Sequence, residues 1–175
     1  MENTPGTLAW PPHLVRHGVA SHTDVVKFTI RNATLADMLE LQGVFRRASL
    51  SNDSDRESLL AHPKWLLLSE TGVQEGRVRL AIDLSSSVIG FASYLISSGI
   101  AELEDLFVDP SWMRRGVGEA LVLDIAEQVH RLGFDVLEVT ANPHAMAFYE
   151  HMGFVVDRIV DTEFYPAPRM LRQIG

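Results

Sequence analysis

The stretch LEDLFVDPSWMRRGVGEAL, Leu103 to Leu121, holds the change of period that decides the fold. Ile100 to Val108 reads as a β-strand, and Pro110 ends it because proline cannot continue a central ladder. From Gly116 the pattern turns helical. Val117, Ala120, Leu121, Ile125, Val129 and Leu132 fall at i, i+3, i+4, i+8, i+12 and i+15, one apolar stripe, and Gly133 is placed to terminate it. Between strand and helix stand Asp109-Pro110, two arginines and Gly116-Val117-Gly118. Free backbone N–H groups at a helix start form an anion site, and glycine lets a phosphate come close to the backbone. Arg114 and Arg115 add positive charge beside it. The same glycines could serve only a tight turn. A dinucleotide G-x-G-x-x-G would need glycine where Leu121 stands, and no Walker A string occurs.

The flanking segments extend the alternation of strands and helices. Val26, Phe28 and Ile30 alternate with polar residues as a strand does. Thr34 and Asp37 stand at capping-box spacing before a helical run through Leu35, Met38, Leu39, Leu41, Val44 and Phe45. Arg56 to Ala61 predicts a second short helix, broken by Pro63. Strands follow at Arg77–Asp83, with Val78, Leu80 and Ile82 on one face, and at Val88–Ile96. Beyond the long helix come a strand over Val136–Val139 and a short helix ending at Gly153. Strands over Phe154–Val160 and Arg169–Gln173 close the chain, separated by a loop with Pro166 and Pro168. The order is β-α-α-β-β-β-α-β-α-β-β, an α/β chain with one core over residues 27–175. Residues 1–26 hold Pro5, Pro11, Pro12, His13, His17 and His22 without any period, and read as an N-terminal arm or linker.

Composition narrows the classes. The 175 residues carry 15 Lys+Arg against 23 Asp+Glu, a net charge of −8, which disfavours nucleic acid and anionic membrane surfaces. No segment has the roughly 18 consecutive apolar residues of a membrane span, and the N-terminus does not read as a secretory signal, so the expected location is the cytoplasm. With no cysteine there is no disulfide, no thiolate metal site and no cysteine nucleophile. No H-E-x-x-H or G-x-S-x-G occurs, and no metal is expected.

A second informative string is NPHAMAFYEHMGF, Asn142 to Phe154. Asn142 can cap a helix or bond a ligand, with Pro143 as the first helical residue. The Tyr149 hydroxyl, with an ordinary pKa of about 10, suits protonation of a leaving thiolate; the same ring could equally be an amphipathic core aromatic.

Together the two strings resemble the GNAT superfamily of N-acetyltransferases. Met113-Arg114-Arg115-Gly116-Val117-Gly118 is similar to the family's acetyl-CoA signature, Q/R-x-x-G-x-G/A, with Met113 departing from the usual Gln or Arg. Asn142 to Phe154, including Ala145 and Tyr149, is similar to its terminal motif. The resemblance spans about residues 28–173 and implies a GNAT-like fold, a mixed central sheet of six to seven strands flanked by about four helices.

The resemblance further implies direct acetyl transfer from acetyl-CoA to an amine acceptor, a small molecule or a peptide, without a covalent acyl-enzyme. The pyrophosphate would sit on the amides from Arg114 through Gly118 and Glu119 to Ala120. The pantetheine would pair with backbone at Leu106, Phe107 and Val108, with the Val108 amide facing the thioester oxygen and Tyr149 protonating the thiolate. Glu102, six residues before Val108, and Glu104, on the same face by alternation, are the candidate bases, with Asp105 on the other face. Each of these carboxylates could instead be a structural ion pair. A homodimer is compatible with such a fold. The alternative function is a CoA-binding sensor module that does not catalyse transfer.

Overall fold

A computed structural model describes residues 27–162 and 166–175. The N-terminal arm expected over residues 1–26 lies outside the described residues. The strands are β1 (Phe28–Asn32), β2 (Val78–Asp83), β3 (Val88–Ser97), β4 (Ile100–Val108), β5 (Val136–Thr140), β6 (Val155–Asp161) and β7 (Pro166–Gln173). The helices are α1 (Met38–Ser49), α2 (Asp53–Ala61), α3 (Thr71–Gln74), α4 (Val117–Arg131) and α5 (Met146–His151). The seven strands form one mixed sheet in the order β1-β2-β3-β4-β5-β7-β6. β4 and β5 are parallel, and the other neighbours are antiparallel.

Two apolar layers sandwich the sheet. On one face α4 buries Val117, Leu121, Val122, Ile125, Ala126 and Val129, and meets Tyr149, Met152 and Phe154 over Ala101, Leu103, Leu137 and Val139. Each large aliphatic side chain removed from water contributes roughly 1.5–3 kcal/mol, so packing more than helix propensity holds α4 in place. Leu132, expected in the same stripe, is 54% exposed because the helix ends at Arg131. On the other face Leu41 and Val44 of α1 pack with Val73, Val78, Leu80 and Phe91. Val78, Leu80 and Ile82 share that face, as their alternation predicts.

The entry to α1 follows the expected cap. The Thr34 backbone N–H and hydroxyl both donate to the Asp37 carboxylate, at 2.8 and 2.9 Å. Arg31 clasps the same carboxylate with two hydrogen bonds of 2.7 and 2.9 Å and holds its pKa far below the ordinary range.

Three local expectations change. A fifth helix, α3, is one turn of four residues, too short to leave a period in the sequence. Pro166 and Pro168 belong to β7 rather than to a loop. β5 ends at Thr140, opposite Arg169, so the prolines lie beyond its last residue pair, and the Pro168 carbonyl accepts from the Ala141 N–H at 2.9 Å. The sequence of Trp65 and Leu66-Leu67-Leu68 reads as core filling, with pocket lining as the alternative; Leu66 is buried, Leu67 and Leu68 line a cavity, and Trp65 is 39% exposed and stacks on His62.

Candidate active site

β4 changes partners halfway along its length. It pairs with β5 only at Glu102↔Glu138 and Leu103↔Val139, and beyond Leu103 the two strands part like a fork. At that point β4 also has a bulge. Ser93 pairs with Asp105 and Tyr94 with Leu103, which leaves Glu104 unmatched. Past the bulge, Ala92 faces Leu106 and Gly90 faces Val108. The Asp109 N–H donates to the Ile89 carbonyl at 2.9 Å, so that pair is hydrogen-bonded and its neighbour Val108 is not. By the same alternation the N–H and C=O of Leu106 and Val108 turn away from β3, into the fork. Phe107, expected beside them in cofactor binding, instead turns its backbone to β3. Its ring packs on Phe45 and Phe91 at 4.8 and 5.5 Å.

The start of α4 stands next to the fork. Gly116 caps it in the left-handed conformation, φ 81°, which a side chain would strain. Arg114 is also left-handed, φ 58°. The amides of Val117, Gly118 and Glu119 precede the first helical hydrogen bond, so three N–H groups are unused by the helix. Ala120, expected among these donors, is not one, because its N–H already donates to the Gly116 carbonyl at 3.0 Å. Met113, Arg114 and Arg115 are exposed, and the Arg115 guanidinium lies 5.3 Å from the centre of the Trp112 ring. A side chain on Gly118 would touch Val108 at 3.7 Å and Phe148 at 3.5 Å, so helix start, strand end and α5 meet there. Gly90 makes a related approach possible. A Cβ there would come within 3.0 Å of the Phe107 carbonyl and 3.2 Å of Val117. Its only signal in the sequence is a lone glycine in an apolar strand.

α5 brings the terminal motif to the same region. The Asn142 side chain accepts from the His144 N–H at 2.9 Å, which makes it a cap, and Ala145 is half-buried against the core. Tyr149 is 8% exposed, with its ring edge-on to Phe148 and Phe154. Burial pushes its phenol up to about 12.

The two candidate carboxylates, Glu102 and Glu104, and the neighbouring Asp105 have different partners. Glu102 accepts from Arg169 and from the Thr140 hydroxyl, and Arg169 also donates to Glu138 at 2.6 Å. Glu104 accepts from Arg77 at 2.9 Å. Among the described residues, Asp105 has only the Ser93 hydroxyl, at 2.6 Å, as its hydrogen-bond donor. Burial raises the Asp105 pKa, the Ser93 bond opposes that, and the neighbouring Glu104 charge raises it further against Arg77; the net direction is up. Simple alternation assigns Asp105 to the face opposite Glu104. The bulge instead sets both along one cavity of about 310 Å³, on the α1 side of the sheet. Asp105 is the residue that sequence reasoning passes over, since a bulge depends on the partner strand.

Among the described residues no group of three or more His, Asp or Glu side chains is placed to hold a metal ion. No helix among them is long and apolar enough to cross a membrane.

Known proteins resemble this chain in sequence and in fold. An uncharacterised N-acetyltransferase of Escherichia coli is 30% identical over 129 residues, 71% of this chain and 79% of that one. An uncharacterised N-acetyltransferase of Methanocaldococcus jannaschii is 24% identical over 76% of this chain, and the chain spans 63% of that relative's length. The phosphinothricin acetyltransferase of Sinorhizobium meliloti, solved with acetyl-CoA, superimposes with a TM-score of 0.63 at 20% identity, covering 85% of this chain and 89% of that one. Residues 39–154, from α1 through β4, α4 and α5, match the Acetyltransferase (GNAT) family, and the chain therefore belongs to that family.

Proposed function

We propose that the protein is an acetyl-CoA-dependent N-acetyltransferase that passes the acetyl group directly to a primary amine. The observation that carries this reading is the fork between β4 and β5, with the backbone of Leu106 and Val108 turned into it and the unused N–H groups of Val117, Gly118 and Glu119 at its end. An extended chain carrying amides can pair with such an edge as a strand does. Phosphates suit the helix start, where Arg114 and Arg115 supply the only nearby excess of positive charge in the quoted stretch.

Bound acetyl-CoA would supply the acetyl thioester. Of the two fork-facing amides, that of Leu106 adjoins Asp105 and so stands closer to the cavity. We assign it, rather than Val108, to the thioester oxygen, where an N–H stabilises the developing negative charge. Asp105 is the base in this reading, in preference to Glu102 and Glu104. Glu102 is held by Arg169 and Glu104 by Arg77, whereas Asp105 is partly buried and burial raises its pKa from the ordinary aspartate value. Its carboxylate takes the proton from the attacking ammonium, which frees the nitrogen lone pair. Tyr149, pushed up to about 12, keeps its proton at neutral pH. An ordinary thiol ionises near 8.5, so Tyr149 donates a hydrogen bond to the departing sulfur, and solvent completes the protonation.

Calorimetry with acetyl-CoA, followed by thiol release over a panel of amines, tests this reading. Binding with a micromolar Kd and amine-dependent release of one thiol per acetyl transferred is the expected result. Binding without release on any amine would make the chain a non-catalytic CoA-binding module. No binding at millimolar acetyl-CoA would remove both.

A further inference from the structure

The cavity beside Asp105 has a chemistry of its own. One side of it is apolar: Phe45 and Phe91 form an aromatic face flanked by Leu68, Val73 and Val78, while Ser69 and Thr71 add hydroxyls to the lining. Ser93, Glu104 and Asp105 stand at its polar end. Among the described residues, the one cation that lines it, Arg77, is already matched. It donates to Glu75 at 2.6 Å, to Glu104 at 2.9 Å and to the Tyr94 carbonyl at 2.6 Å. Counting Arg77 against Glu75, Glu104 and Asp105, the polar end carries an excess of negative charge when Asp105 is ionised. A volume of about 310 Å³ lies at the lower limit of pockets that enclose small molecules.

We infer, resting on the acetyltransferase reading above, that this cavity selects a primary ammonium borne on one compact apolar body, aromatic or branched aliphatic. The body fills the space between Phe45, Phe91 and Val73, and the ammonium meets Asp105 and Glu104 at the mouth of the fork. A carboxylate on the carbon bearing the amine would face those two acids. A phosphate would find no unmatched cation in the lining. A polyamine would satisfy the acids but leave the aromatic side empty. Desolvating a charge without a partner, or leaving apolar walls wet, lowers transition-state binding for such substrates. The same chemistry is offered by a free amine and by a peptide whose first residue is apolar.

Four acceptors separate these cases in one thiol-release assay at saturating acetyl-CoA: 2-phenylethylamine, phenylalanine, spermidine, and a tetrapeptide beginning with phenylalanine. We expect kcat/KM for 2-phenylethylamine to exceed that for phenylalanine and for spermidine by about 30-fold or more, within the range that pocket contacts achieve. If the tetrapeptide also turns over, the larger kcat/KM of the two identifies the natural source, and either result supports the class. Preference for phenylalanine would overturn the inference, since it would make Arg77 a carboxylate site. Preference for spermidine would overturn it as well. Thiol release with these reversed preferences leaves the acetyltransferase reading standing; absence of release from these four overturns the inference, and absence from the whole amine panel removes the acetyltransferase reading as well. Thr71→Lys provides an independent check. Thr71 is exposed on the cavity's rim, so the new cation should raise KM for 2-phenylethylamine about tenfold while leaving the Kd of acetyl-CoA unchanged. An unchanged KM would count against this cavity as the acceptor's place.

Discussion

In the proposed reaction Asp105 takes the proton and Tyr149 donates the hydrogen bond to sulfur, and both differ from free solution because Asp105 is partly and Tyr149 almost fully buried. Burial makes Asp105 a stronger base than an exposed aspartate, and makes Tyr149 hold its proton more firmly. The raised Asp105 pKa has a definite sign in stability. The folded chain binds that proton more tightly than the unfolded chain does. Its contribution is therefore fully present below the unfolded value of about 3.9 and is lost as pH rises through the folded one. At neutral pH, Asp105→Asn should consequently leave the melting temperature unchanged or raise it. The same substitution should lower kcat by about 10²–10⁴, the usual span for a general base, and remove the acidic limb of the pH–rate profile. A normal kcat with that limb intact would take the role from Asp105. Tyr149→Phe should lower kcat with little change in the Kd of acetyl-CoA, which titration calorimetry reads directly. Neither role follows from residue type alone. The phenol was visible in the Asn142–Phe154 string, but the carboxylate was hidden by a bulge that only β3 reveals.

At the scale of elements, β4 and α4 were legible because each has an uninterrupted period with a marked end. The strand runs Ile100–Val108 as the alternation and Pro110 require, and the helix starts after Gly116 as the change of period requires. The fork was not legible, because it is set by how far β5 accompanies β4. Nor were the two β7 prolines, which lie past the last β5 residue that pairs with β7. The contact between α4 and the sheet depends on Gly90. Gly90→Ala would bring a methyl group to 3.0 Å from the Phe107 carbonyl and against Val117 and Leu121. Overpacking of this kind costs about 1–3 kcal/mol. Chemical denaturation should show that loss with an unchanged slope. Acetyl-CoA affinity should fall with it, because the displaced atoms belong to the start of α4. Full stability in this variant would mean that the helix can lift away without cost.

Across the whole molecule, the sheet is two antiparallel blocks, β1–β4 and β5–β7, joined by two residue pairs and by the packing of α4. Arg169 of β7 strengthens the join, since it bonds Glu102 on β4 and Glu138 on β5 where the fork begins. The net charge of −8 is spread over a protein whose proposed phosphate site is built from backbone groups and two arginines. The sequence contains no cysteine, so the proposed transfer involves no protein thiol.

The fork is also a seam in the folded state. Where β4 and β5 part, the ladder that would tie the blocks together is missing, so the β5–β7 block can open on its own more readily than the sheet as a whole. A ligand chain lying in the fork would restore that ladder. Amide hydrogen exchange should then slow throughout β5 and β7 when CoA is added, and most steeply at Leu106 and Val108. Phe107, already bonded to β3, should be nearly unaffected. That single-residue alternation of protected and indifferent amides along one strand would be the ligand's imprint on the breathing of the protein.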